Sequence, residues 1–126
     1  MTVLTINLKD DPEVIDEYRR YHREVWPEVQ ESLQRYGVRR MDIHLLGRRL
    51  VMIVEMKDGI DYAEAFKLHA ASSPRVVEWE RLMKSFQEPA PGAARGEWWA
   101  VMEPVFHLDE GGEPAIARVA DRSSTS

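Results

Sequence analysis

No stretch constrains this chain more than residues 18–28, YRRYHREVWPE. Tyr18, His22 and Trp26 recur every four residues, so one continuous helix would put them on a single face. Most core-facing stripes are Leu, Ile, Val and Ala; this one is aromatic and titratable. Pro27 lacks an amide donor and disfavours helical geometry just before it, so the helix should end or bend near Arg23 to Val25. A second segment can restart with Pro27 in its first turn, carry Val29, Leu33 and Tyr36 inward, and stop at Gly37.

The remaining pattern supplies a sheet for that bent helix. Leu4, Ile6 and Leu8 alternate with Val3, Thr5 and Asn7, which is the period of a strand over Thr2 to Leu8. Asp11 is placed to cap the helix opening at Pro12. Met41 to Leu46 and Leu50 to Met56 read as two strands joined by a hairpin at Gly47 to Arg49. The VMIVEM run is apolar on both faces, as in a central strand covered twice. A helix follows over Ile60 to Ala71. Ser73 then caps a second helix over Arg75 to Phe86, which buries Val76 or Val77, Trp79, Leu82, Met83 and Phe86. QEPAPGAARG is a loop by composition, and Trp98 to Leu108 is expected as a last strand, an edge or bulged one because Pro104 lies within it. The order βα(bent)–β–β–α(split)–β predicts an α+β sandwich on the ferredoxin-like βαββαβ plan, an antiparallel sheet with its helices on one face. The other apolar sheet face then needs cover, most simply a second subunit packed sheet to sheet. Residues 1–108 form one expected domain. The polar tail 109–126 is expected to be flexible.

Composition narrows the chemistry. The 126 residues include no cysteine, which removes thiol catalysis, disulfides and cysteine-bound zinc, and fits a reducing cytoplasm. No basic, apolar leader opens the sequence, and no apolar run is long enough to span a membrane. A formal net charge of −5 weighs against a nucleic-acid partner. His22, His44, His69 and His107 show no HxH or HxxxH spacing, and there is neither a glycine-rich phosphate loop nor a nucleophile elbow.

YxxxHxxVWPE, IHLLGRRLVMIVEM, SSPRVVEWERLM and GEWWAVMEPVFHL together resemble the L-rhamnose mutarotase-like family, over roughly Met1 to Leu108. The PRVVEWERLM and GEWWAVMEPVF blocks are similar to its L-fucose branch; the rhamnose branch has two adjacent tryptophans where this chain has Glu78 and Trp79. The resemblance implies a cofactor-free sugar 1-epimerase with a dimeric ferredoxin-like fold and a monosaccharide substrate. It implies that His22 is the catalytic acid/base, Tyr18 a substrate-contacting catalytic partner, and Trp79 part of an aromatic sugar wall. A tyrosine of the rhamnose branch is replaced by Met41. His44, taken to share that strand face, is a weaker substrate-binding candidate, as is Tyr21.

Mutarotation requires that the ring oxygen gain a proton while the anomeric hydroxyl loses one, and that both transfers reverse after rotation about C1–C2. A histidine, titrating near 6.5 when unperturbed, serves both directions without metal or redox chemistry. The residues taken singly also have plainer readings. Tyr18 and Trp79 could be core, and Trp26 with Pro27 reads as the anchor and the bend. His69 and His107 read as surface or interface residues, and Glu78, Glu80, Arg81 and Lys84 as a solvated face. Trp98 and Trp99 would point to opposite faces of a strand. Two rival functions remain at this level: a cofactor-independent enzyme for planar aromatic substrates on the same scaffold, and a sugar-binding protein without catalysis.

Overall fold

A computed structural model describes residues 1–110; the expected flexible tail lies almost entirely outside the described residues. The elements are β1 (Thr2–Leu8), α1 (Pro12–Arg23), α2 (Pro27–Arg35), β2 (Val38–Leu46), β3 (Arg49–Met56), α3 (Tyr62–Ala70), α4 (Pro74–Phe86), β4 (Gln87–Glu88) and β5 (Ala100–Val101). Each helix start has a local cause. The Asp11 side chain accepts the Glu13 amide at 2.9 Å, the Asp61 side chain accepts the Glu64 amide at 3.0 Å, and Ser73 Oγ accepts the Val76 amide at 3.3 Å. Pro27 occupies the first turn of α2, so the missing amide falls where no helical partner exists. Gly37 follows α2 at φ +102°, and a Cβ there would come within 3.0 Å of Ile60, so both backbone and space call for glycine.

All strand pairs are antiparallel. The order is β2-β3-β1-β4, with β5 also paired to β1. The ferredoxin-like plan therefore holds, but its fourth strand is in two pieces: β4 pairs with Asn7 and Leu8, β5 with Leu4 and Thr5. The register sets Leu4, Ile6 and Leu8 beside Met52, Leu50 and the β2 residues Ile43 and Leu45 on one face. Ile6, Leu8, Leu50, Val76, Trp79 and Met83 join Tyr18 and Val29 in the main core beneath the helices. Full burial of an aliphatic side chain such as Ile6 or Leu8 contributes about 1.5–3 kcal/mol.

The last strand is far shorter than the expected Trp98 to Leu108. It covers Ala100 and Val101, and the pairing closes with the Met102 amide on the Val3 carbonyl at 2.7 Å. Pro104 has no amide to continue a ladder, and Val105, Phe106 and Leu108 are exposed at 60%, 66% and 79%. Conversely, the expected loop start at Gln87 is strand. No helix among the described residues is long and apolar enough to cross a membrane.

Candidate active site

Between the helices and the sheet lies a cavity of about 1140 Å³. Tyr18 and His22 from α1, Trp79 and Glu80 from α4, and Gln87 from β4 all line it. The aromatic stripe of residues 18–28 does not run along one continuous helix, because α1 stops at Arg23 and Trp26 lies beyond the break. The rings nevertheless converge, with Trp79 as their hub. Its ring centroid is 5.5 Å from His22, 5.1 Å from Trp26 and 6.2 Å from Tyr21, each edge-on. Tyr18 stacks on His22 at 4.1 Å. Trp79 is both core and wall: it is 4% exposed, yet it borders the cavity.

The His22 ring has a defined tautomer. Nδ1 lies 2.8 Å from the Tyr18 carbonyl oxygen, which can only accept, so Nδ1 carries the proton and Nε2 keeps the lone pair in the neutral ring. Burial lowers the His22 pKa below 6.5, against the smaller raising effect of that backbone bond. At neutral pH the group is thus a neutral base.

Gln87 of β4 is held by the loop that follows it. Trp98 Nε1, a donor only, donates to Gln87 Oε1 at 2.9 Å. The Gln87 amide N–H is left to donate into the cavity that Tyr18 also lines. Burial first, then the charge of Glu80, push the Tyr18 pKa well above 10, so the phenol stays protonated.

Glu80 and Gln87 are the residues that the sequence reading did not pick out. Val76, Trp79 and Met83 are the buried positions of α4, and Glu80 falls one turn from Val76 and one residue from Trp79. That spacing places it at the edge of the inward stripe rather than on the solvated face expected for it. Burial raises its pKa, partly offset by Lys84 one turn on.

Other expectations are corrected. His44 does not reach the cavity. It is three residues from Met41, an odd interval, and in a strand that reverses the face. Met41, Ile43 and Leu45 border the cavity, whereas His44 pairs with Val51 on the opposite sheet face and is exposed. Tyr21 also lies off the cavity lining, packed edge-on to Trp79 and tilted against Phe86 at 5.9 Å. Trp98 and Trp99 both line the cavity, because they precede β5 and strand alternation does not bind them. His69 is 5% exposed rather than a surface residue. Among the described residues, no three His, Asp or Glu side chains are grouped as a metal site.

The family model described as L-rhamnose mutarotase matches residues 2–108. An L-fucose mutarotase of Xanthomonas campestris pv. campestris is 44% identical over 108 residues, covering 83% of this chain and 85% of that protein. A UPF0734 protein of Dictyostelium discoideum is 38% identical over 107 residues, 82% of this chain and 86% of its own. Among solved structures, an L-rhamnose mutarotase from Formosa agariphila superposes with a TM-score of 0.61 at 17% identity, over 86% of this chain and 97% of that one. Tetracenomycin F2 cyclase from Streptomyces glaucescens superposes at 0.54 and 16% identity, over 86% and 95%. At these identities both structures speak for the fold alone.

Proposed function

The chain belongs to the L-rhamnose mutarotase family, and from that premise we propose that it interconverts the α and β anomers of a 6-deoxy-L-hexose, L-fucose before L-rhamnose. The observation that carries the reading is His22: a neutral imidazole, its Nδ1–H fixed on a backbone carbonyl, beside a cavity walled by Tyr18 and Trp79. Nε2 accepts the proton of the anomeric hydroxyl as the ring opens and returns it on closure. The Tyr18 O–H, kept protonated by burial, donates to a sugar hydroxyl. The Trp79 ring meets the apolar face of the deoxysugar. The preference for L-fucose rests on the 44% identity with a protein of that activity.

The protein acts as a homodimer in this reading. The sheet face away from the helices carries Val3, Val51 and Ile53, half-buried in one subunit, which suits a second sheet laid against it. Sedimentation should give twice the 14.6 kDa chain mass.

Saturation-transfer proton NMR on equilibrated L-fucose, repeated with L-rhamnose, tests the activity. Irradiating one anomeric proton should attenuate the other only when the protein is present, and more strongly for fucose. Stronger transfer for rhamnose would reassign the sugar. No transfer with either sugar, at protein levels that saturate binding, would reject the reaction.

A further inference from the structure

Ring opening calls for an acid as well as a base. His22 cannot give the ring oxygen a proton while its Nε2 is taking one from the anomeric hydroxyl. The structure assigns the second proton-transfer group: we propose that Glu80 is the general acid that protonates the ring oxygen. This inference rests on the mutarotase reading above and adds a catalytic residue to it.

The placement of Glu80 carries the proposal. It borders the same cavity as His22 and Tyr18, from the α4 turn that also supplies the Trp79 wall. Two separate helices thus present one candidate group each to the space where a sugar would lie. Glu80 forms no ion pair among the described residues, although α4 is otherwise rich in charge: Arg75 is engaged with Glu78 at 2.9 Å and with Glu28 at 3.8 Å. A half-buried carboxyl without a salt-bridge partner is costly as a carboxylate and comfortable as a carboxylic acid. Burial accordingly pushes its pKa up while burial pushes that of His22 down. Two titratable groups driven in opposite directions in one cavity are matched to opposite roles, base for the lowered imidazole and acid for the raised carboxyl.

The step balances without a co-reactant. His22 Nε2 takes the O1 proton, the C1–O1 bond becomes a carbonyl, and the C1–O5 bond breaks with its electron pair on O5. O5 takes the Glu80 proton, leaving an imidazolium and a carboxylate. After rotation about C1–C2, O5 attacks the other carbonyl face and returns its proton to Glu80, and O1 recovers the proton held by His22.

The titratable neighbours around this cavity are Tyr18 and His22 from α1, Glu24 after it, His69 from α3 and Lys84 from α4. Tyr18 stays protonated throughout, and the guanidinium groups of Arg19, Arg23, Arg39 and Arg40 also border the cavity. Lys84 is the cation that pulls the Glu80 pKa back down. The rate should fall on the acid side as His22 protonates and on the alkaline side as Glu80 ionises.

The test is anomer exchange by NMR from pH 5 to 9, less the protein-free rate, for wild type, Glu80→Gln and Lys84→Met, with sugar affinity measured alongside. Wild-type exchange comes first; its absence would remove the mutarotase reading and Glu80 with it. Given wild-type exchange, Glu80→Gln should lower kcat by roughly 10²–10⁴, keep sugar affinity within a few-fold, and lose the alkaline limb. Lys84→Met should keep that limb but move it to higher pH. Wild-type exchange by Glu80→Gln, a slow variant that keeps its alkaline limb, or a rate lost in step with sugar affinity would each overturn the Glu80 assignment and leave the mutarotase reading standing.

Discussion

Two histidines border the same cavity and share a physical signature, yet their surroundings differ. Burial lowers the pKa of both His22 and His69. Both rings hold Nδ1 in a short hydrogen bond. His69 Nδ1 sits 2.7 Å from Ser32 Oγ, which lies 2.9 Å from Ser72 Oγ, which donates to the His69 carbonyl at 2.7 Å. That last carbonyl can only accept, so the chain runs one way: Nδ1–H to Ser32, Ser32 O–H to Ser72, Ser72 O–H to the backbone. The loop closes on the residue where it began and ties α2 to the end of α3. His22 instead spends one bond on its own helix and stands between a phenol and an indole. A perturbed pKa alone would rank the two alike. Their partners separate a fastening from a reactive group.

The widest gap between them should appear in the rate. His22→Ala is expected to slow anomer exchange by roughly 10²–10⁴, while its cost in stability stays near the about 0.5–1.5 kcal/mol of a lost ring contact. NMR exchange and denaturant unfolding on the same sample check both halves. If the variant exchanges anomers as fast as wild type, His22 loses its role and the contrast with His69 collapses.

The opposite pattern is expected at Ser32, the α2 partner of the other ring. Ser32→Ala strands the His69 N–H and interrupts the hydroxyl chain in a buried place, which should cost about 1–3 kcal/mol of stability. Exchange per folded molecule should change less than twofold. A large drop in exchange at normal stability would place the Ser32–His69 pair in the reaction and erase the distinction.

These two regions also differ in how far the sequence exposed them. The four-residue recurrence of Tyr18, His22 and Trp26 pointed to the His22 region, even though the chain breaks between the second and third members, because Trp79 gathers the rings across the break. The alternation of β1 and the break at Pro27 were likewise readable, since alternation and prolines are local signals. The His69 network was not: it joins Ser32, His69 and Ser72, whose separation in sequence carries no period. Glu80 lay hidden for another reason. Its neighbours Glu78, Arg81 and Lys84 do suggest a solvated face, and only the burial of Val76 rather than Val77 fixes the helix rotation that turns Glu80 inward. His44 shows the reverse error, in which a residue of the right chemistry stands at an odd interval from the cavity-facing set. The split fourth strand depends on Gln87, which reads as a loop residue until its pairing with Leu8 and its bond from Trp98 are seen.

The smallest expected effect isolates the titration of the fastening ring. His69 titrates near 6.5 in the unfolded chain and lower in the fold, so the native state resists a proton that the unfolded state accepts. Unfolded chains then bind more protons, and stability falls as pH drops below about 6.5, levelling off once pH is beneath the folded value. Glu80 has the opposite sign, because its raised pKa favours the fold as pH falls, and His22 adds to the loss. A comparison of wild type with His69→Gln cancels both. The wild-type advantage over His69→Gln should be greatest near pH 7 and shrink through the window below 6.5, as read from urea unfolding at each pH. An advantage that stays constant from pH 7 to 5 would mean that burial does not depress His69 in the fold, and the signature it shares with His22 would be lost.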